Sequence, residues 1–228
     1  MENIERKIEE LTEIVSKLMK GEKADIRNEA LNFTFDDLMK AIKAKIALYI
    51  TYMVEGSNTC EIAHKECAPT PFLSTFIDGT MKKGLDISAG GAKYNFSGVQ
   101  GIGCPNLSDS LYVIKKAVFE EKRISWEKLL DVLKNNWENE EVLRQFFINR
   151  YPKYGNDVDE VDLLGSELLS FYGDECEKHL NPRGGIFHPG SYTVSAHIPL
   201  GEGVGATPDG RKNREQLADG GLSPMVGR

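Results

Sequence analysis

The sequence predicts a mostly helical α/β chain. Apolar residues recur at intervals of three and four from Ile4 to Phe171, the pattern of amphipathic helices. One stretch near the C-terminus instead alternates with period two, the pattern of a strand. No internal repeat and no low-complexity linker interrupts the 228 residues.

The elements follow in order. Ile4, Ile8, Leu11, Val15 and Leu18 share one face of a first amphipathic helix, and Gly21 is its stop signal. Thr34 followed by Asp37 makes a capping-box-like start for a second helix, striped by Leu38, Ile42, Ile46 and Ile50 and expected to close at Gly56. Thr70 as N-cap and Pro71 at the first helical position predict a third. Its apolar residues are Phe72, Leu73, Phe76, Ile77 and Met81, with Gly84 as its end. A glycine-rich loop, "AGGAKYNFSGVQGIG", runs from Ala89 to Gly103.

Ser108 is placed to cap the next helix, which carries Leu111, Ile114, Ala117 and Val118. Ser125 caps another, with Ile124 and Leu129 spaced as a hydrophobic staple. Shorter helical patterns over Glu140–Asn149 and Val158–Phe171 flank the turn-rich "RYPKYGND". In "SYTVSAHIPL", Tyr192, Val194, Ala196, Ile198 and Leu200 fall on one face, which predicts a strand from Ser191 to Leu200. "TPDG" then sets Pro208 and Asp209 at the centre of a type I turn, with Gly210 after them.

Composition excludes several classes. Hydrophobic residues make up 40% and charged residues 28%, a globular balance. The net charge is −7 and the basic residues are dispersed, so no nucleic-acid partner is expected. Met1–Lys20 contains no secretory apolar core, and the apolar run Ile42–Val54 is too short to span a bilayer. No membrane partner is expected, and the four cysteines at 60, 67, 104 and 176 read as reduced thiols of a cytoplasmic protein.

Cys60, His64 and Cys67 form C-x3-H-x2-C, and Cys176 with His179 adds C-x2-H. This spacing departs from that of zinc modules, so cysteines around a helix end are expected and no metal site is assigned. The glycine-rich loop fits neither the P-loop nor the dinucleotide fingerprint, because Asn106 stands where the third glycine belongs. A loop packed closely against other backbone is the alternative. No nucleophile–base pair is marked. Tyr192 and Val194 are core residues by default, although on a barrel strand such side chains can line a cavity.

Several stretches together resemble the glycyl radical enzymes, the family of pyruvate formate-lyase, glycerol dehydratase and choline trimethylamine-lyase. They are "PTPFLSTFIDGTMKKGLD", "GGAKYNFSGVQGIGCPNLSDSLYVIKKAVFEEKRIS", "KYGND" and "GSYTVSAHIPLGEGVGATPDGRK" with "LADGGLSP". They cover residues 31–228, leaving the helix of residues 1–30 unmatched. The wording "GGAKYNFSG" and "YTVSAHIPLG" looks closer to the dehydratase and choline-lyase branch.

The resemblance implies a partial segment of a ten-stranded α/β barrel. It also implies radical chemistry, in which a glycyl radical oxidises a cysteine in a G-C-x-E motif and the thiyl radical abstracts hydrogen from substrate. None of the four cysteines is followed two residues on by glutamate, and no R-V-x-G-Y-S-like stretch occurs. The chain is therefore expected to be an inactive fragment with no catalytic residue of its own. The resemblance places Tyr192 and Val194 at the substrate: the tyrosine as a shaping hydroxyl and ring, the valine as an apolar wall. It implies no cofactor bound by this chain, since the family's radical is installed by a radical SAM iron–sulfur activating enzyme. A small-molecule substrate and that activating enzyme are partners only of a complete enzyme. A complementary fragment or a homo-oligomer is the expected partner of the chain itself. The alternatives are a non-catalytic interaction module on the same scaffold and a formate C-acetyltransferase fragment.

Overall fold

A computed structural model of the chain describes residues 33–191 and 195–219. The helix expected over Ile4–Leu18, and both Tyr192 and Val194, lie outside the described residues. The chain divides into two units between Ile46 and Ala47.

The first unit's described residues open helix α1, Phe35–Cys67. Its start is the expected capping box: Asp37 N–H donates to Thr34 Oγ1 at 3.2 Å and Thr34 N–H to Asp37 Oδ2 at 3.2 Å. The helix does not close at Gly56. A mid-helix glycine costs about 1 kcal/mol relative to alanine, too little to end a 33-residue helix whose other residues continue it. It ends instead before Pro69, whose ring disfavours helical backbone at Ala68.

In the second unit the expected third helix is broken into α2, Pro71–Ser74, and α3, Thr80–Lys83. Gly79 separates them at φ 99°, and Gly84 closes α3 in the left-handed region as its position predicts. Thr70 makes no side-chain cap; its backbone N–H donates to Asp86 Oδ2 at 3.0 Å. The glycine-rich loop then packs closely on backbone. A Cβ at Gly91 would run into the Leu85 carbonyl oxygen, so only glycine passes there.

Strand β1, Ser97–Gln100, leads into α4, Cys104–Ile114, which continues as a wider π turn over Lys115–Glu120. This helix begins five residues earlier than its serine suggested, with Gly103 and not Ser108 at the N-cap. Pro105 is accommodated in the first turn, where its missing N–H costs nothing, and Ser108 Oγ donates back to the Cys104 carbonyl at 2.9 Å. Helix α5, Trp126–Lys134, is capped as expected, with Lys128 N–H donating to Ser125 Oγ at 3.2 Å. Helices α6, Glu141–Arg150, and α7, Asp159–Glu177, follow, then strand β2, Phe187–Gly190, and α8, His197–Glu202.

Of the strand expected over Ser191–Leu200, the described residues form none: among them pairing ends at Gly190, and His197–Glu202 is helical, with Ile198 and Leu200 about half exposed. Pro199 decides this locally: it has no N–H for a ladder but sits without cost in the first turn of a helix.

The core lies among α4, α5, α6, α7 and β2. Leu111, Val113, Ala117, Leu129, Val132, Phe147, Val161, Leu168 and Phe187 are buried. Each large member contributes about 2 kcal/mol by leaving water. Trp137, Phe146, Phe147 and Tyr151 stack edge to face with centroids 5.7–6.3 Å apart.

Candidate functional site

The two strands run parallel, with Ser97 opposite Phe187 and Gln100 opposite Gly190, and Gly101 N–H extends the ladder to the Gly190 carbonyl at 2.9 Å. A parallel pair needs a crossover, and α4 to α7 supply it. Helix α7 packs on both α4 and β2. Small residues allow that approach: Gly173 lies against the Pro189 ring, and a Cβ at Gly165 would come within 2.9 Å of Ser108 Oγ on α4. Both strands thus end together, β1 at Gln100 and β2 at Gly190. In α/β architectures the carboxyl ends of parallel strands carry ligand sites. Tyr192 and Val194 follow β2 in sequence by two and four positions.

The opposite ends of the strands are clamped by a polar network. Arg183 forks onto Glu61 of α1, Nε to Oε2 at 3.0 Å and Nη2 to Oε1 at 3.1 Å. Both side chains are largely withdrawn from water, which strengthens such a bidentate pair. Ser97 Oγ donates to Glu61 and accepts from Arg183 Nη2 at 3.1 Å and Asn181 Nδ2 at 2.9 Å. Asn181 Oδ1 accepts the backbone N–H groups of Arg183 and Gly185 at 3.0 and 2.9 Å, an Asx turn that sets the approach to β2.

A second buried cluster fixes the segment after α8. Thr207–Gly210 is the expected turn, with Gly210 N–H donating to the Thr207 carbonyl at 3.1 Å and Gly210 at φ 97°. Asp209 is fully buried. Its carboxylate accepts from Asn106 Nδ2 at 2.7 Å, from the Arg211 N–H at 3.2 Å and from Thr207 Oγ1. The Arg211 guanidinium, also buried, donates to the carbonyls of Val204, Gly205, Lys212 and Glu215, closing the segment into a loop around itself. Asn106 Oδ1 accepts the Ala218 N–H at 2.6 Å, so one α4 side chain holds both limbs of that loop.

Beside this cluster Lys153 is buried, its Nζ donating to the Phe147 carbonyl at 3.2 Å. Burial pushes its pKa down, and the carboxylates of Asp109 and Asp209 oppose that shift. Asp109 is itself buried and accepts the Tyr154 N–H at 2.7 Å.

The cysteines have different surroundings. Cys60 and Cys67 are exposed on α1, Cys176 is buried, and burial pushes the Cys104 and Cys176 thiols up. Among the described residues no three His, Cys, Asp or Glu side chains are grouped to hold a metal ion, and no helix is long and apolar enough to cross a membrane.

Sequence reading missed Glu61, Ser97, Arg183, Asn106 and Asp209 as partners, since each pair is separated by 36 to 122 positions. Of these positions, only Asp209 was marked, by the turn chemistry of "TPDG".

A mostly helical crossover between two parallel strands is the connectivity of an α/β fold. The family model described as pyruvate formate lyase-like matches residues 15–201, and the chain belongs to that family. Its relatives are glycyl radical dehydratases and lyases. The chain is 35% identical over 187 residues to the (2S)-3-sulfopropanediol dehydratase of Klebsiella oxytoca, covering 82% of this chain and 23% of that protein. It is 34% identical to the trans-4-hydroxy-L-proline dehydratase of Clostridioides difficile, over 85% of this chain and 24% of the relative. The structure of the glycerol-bound B12-independent glycerol dehydratase of Clostridium butyricum superposes with a TM-score of 0.77 at 46% identity, covering 82% of this chain and 24% of that one. The chain thus spans about a quarter of the length of these proteins.

Proposed function

We propose that the chain forms a scaffold segment and one substrate-facing wall of a glycyl radical dehydratase or lyase acting on a small hydroxylated substrate. The observation that carries this is the 46% identity to a glycerol dehydratase over 82% of the chain, combined with the absence of a G-C-x-E cysteine from its sequence. The named relatives favour elimination from a hydroxylated substrate over acyl transfer.

In this reading the segment supplies part of a barrel wall, and Tyr192 and Val194 border the substrate just after β2. Tyr192 offers a hydroxyl to a substrate oxygen; Val194 limits its size. The cysteine and the glycyl radical come from the remainder of the enzyme, and an activating enzyme installs the radical. No residue of this chain moves an electron or a proton in the reaction. Its task is to hold β1 and β2 so that their carboxyl ends face the reacting centre.

The test is to place the chain in the Clostridium butyricum glycerol dehydratase in exchange for the segment it matches, and to measure substrate consumption after anaerobic activation. Val194→Phe should raise KM at least tenfold for the larger of two diols while leaving the smaller one nearly unaffected. Equal kinetics for both diols with Val194→Phe and Tyr192→Phe would remove these residues from the substrate wall.

A further inference from the structure

We infer that Gln100 is a further specificity-determining residue, whose side-chain amide hydrogen-bonds a hydroxyl of a neutral polyol substrate; this rests on the reading above. Pro189 of β2 turns toward Gly173, and Gly101, one step past β1, turns toward the Tyr172 ring. Both partners lie on α7. Side chains alternate along a strand, and paired residues of parallel strands point to the same side. Gly98 and Gln100 of β1, with His188 and Gly190 of β2, therefore lie on the face turned away from α7.

Two of these four positions are glycine, and a Cβ at Gly98 would meet nothing within 4 Å. His188 is already engaged. The Phe96 ring centroid lies 5.5 Å from that of its imidazole, and its Nδ1 is 3.7 Å from Glu177 Oε1. Gln100 is half-buried and stands opposite Gly190, in the last pair of the two strands. That is the carboxyl end, where α/β folds place their ligands. Tyr192, the residue assigned above to the substrate wall, follows Gly190 by two positions in sequence.

The chemistry of the amide narrows the substrate. It offers two donors and an acceptor, which suit a hydroxyl that both donates and accepts. It carries no charge, so it gives a sulfonate or carboxylate no counter-ion. Open space at Gly98, two positions back on the same face, leaves room beside the amide for a small molecule.

The probes are glycerol and 1,2-propanediol, which differ by one hydroxyl, offered to the activated glycerol dehydratase that carries this chain in exchange. Gln100→Leu should raise KM for glycerol about tenfold or more and leave that for 1,2-propanediol within about twofold, because only glycerol loses a hydrogen bond. Val99→Ala, on the same strand but turned toward α7, should lower the melting temperature without moving the ratio of the two KM values. A ratio unchanged by Gln100→Leu overturns the inference, as does an equal shift with Val99→Ala. If Val194→Phe still separates two diols when Gln100→Leu does not, the substrate wall stands and Gln100 alone is removed from it. An exchanged enzyme that binds glycerol in calorimetry but never turns over removes the functional reading. The glycerol affinity of its Gln100→Leu variant then decides: a loss of about tenfold upholds Gln100, and equal affinity overturns it. No glycerol binding by the exchanged enzyme overturns both.

Discussion

Asn106, in the first turn of α4, donates through Nδ2 to the buried carboxylate of Asp209 at 2.7 Å, across 103 positions of sequence. The same amide accepts the Ala218 N–H through Oδ1 at 2.6 Å. One side chain therefore fixes both limbs of the loop that leaves α8, so that the loop's path is set by α4.

Asn106→Leu should be among the most damaging substitutions in the second unit. It leaves a buried carboxylate one donor short and a buried N–H without an acceptor, a loss of about 3 kcal/mol. Urea unfolding should show a lower midpoint with an unchanged slope. Asp209→Asn should also destabilise, because Oδ1 serves the Arg211 N–H and Oδ2 the Asn106 amide, and an amide with one oxygen must turn its NH2 toward one of those donors.

The Glu61–Arg183 pair joins α1 to the strand ends in fork geometry, at 3.0 and 3.1 Å. Arg183→Lys keeps the charge but loses the fork and the contact to Ser97, and should destabilise by about 2 kcal/mol. A double-mutant cycle with Glu61→Gln is expected to return a coupling near half of that; a coupling of zero would make the pair incidental.

Asp86, which ties Thr70, Ser74 and Ser88 together, gives this segment an acid dependence. Hydrogen bonds from the Ser88 and Ser74 side chains hold its pKa down to about 2, against an ordinary 3.8. A carboxylate with a lowered native pKa stabilises fully above its unfolded pKa, and that contribution disappears as pH falls toward the native one. The segment from Thr70 to Ser88 should therefore loosen between about pH 4 and pH 2. Melting curves at a series of pH values should show this extra acid loss in the native chain and not in Asp86→Asn.

Thiol reactivity should sort the four cysteines by position. Cys60 and Cys67 are exposed, whereas Cys176 is buried and Cys104 is partly covered with its thiol pushed up by burial. A disulfide reagent at pH 8 should modify the first two rapidly and the others only on unfolding. Four equal rates would contradict the placement of α4 and α7.

Much of the helical layout was legible because its signals are local. Thr34 with Asp37, and Ser125 with Lys128, are contacts within four residues, and both caps occur as the sequence indicates. The errors share a cause. Gly56 lacks any local partner that would turn it into a stop, while Gly79 breaks a helix because the backbone of Gly91 and Lys93 lies against it. Ser108 was read as a cap, yet α4 begins at Cys104 behind a left-handed Gly103. The alternation from Tyr192 to Leu200 predicts a strand that peels away at Pro199; in the structure that proline instead lies in the first turn of α8. The polar networks were illegible for another reason: Glu61 meets Arg183, and Asn106 meets Asp209, only after the crossover is built. Tyr192 and Val194 rest on family resemblance and fall outside the described residues.

In the proposed function this chain shapes a radical enzyme without carrying its chemistry. Anaerobic incubation with an activating enzyme and S-adenosylmethionine, followed by measurement of diol consumption, tests it most directly. The purified chain alone should consume none, while the exchanged Clostridium butyricum enzyme containing it should turn over. Turnover by the isolated chain would contradict the account.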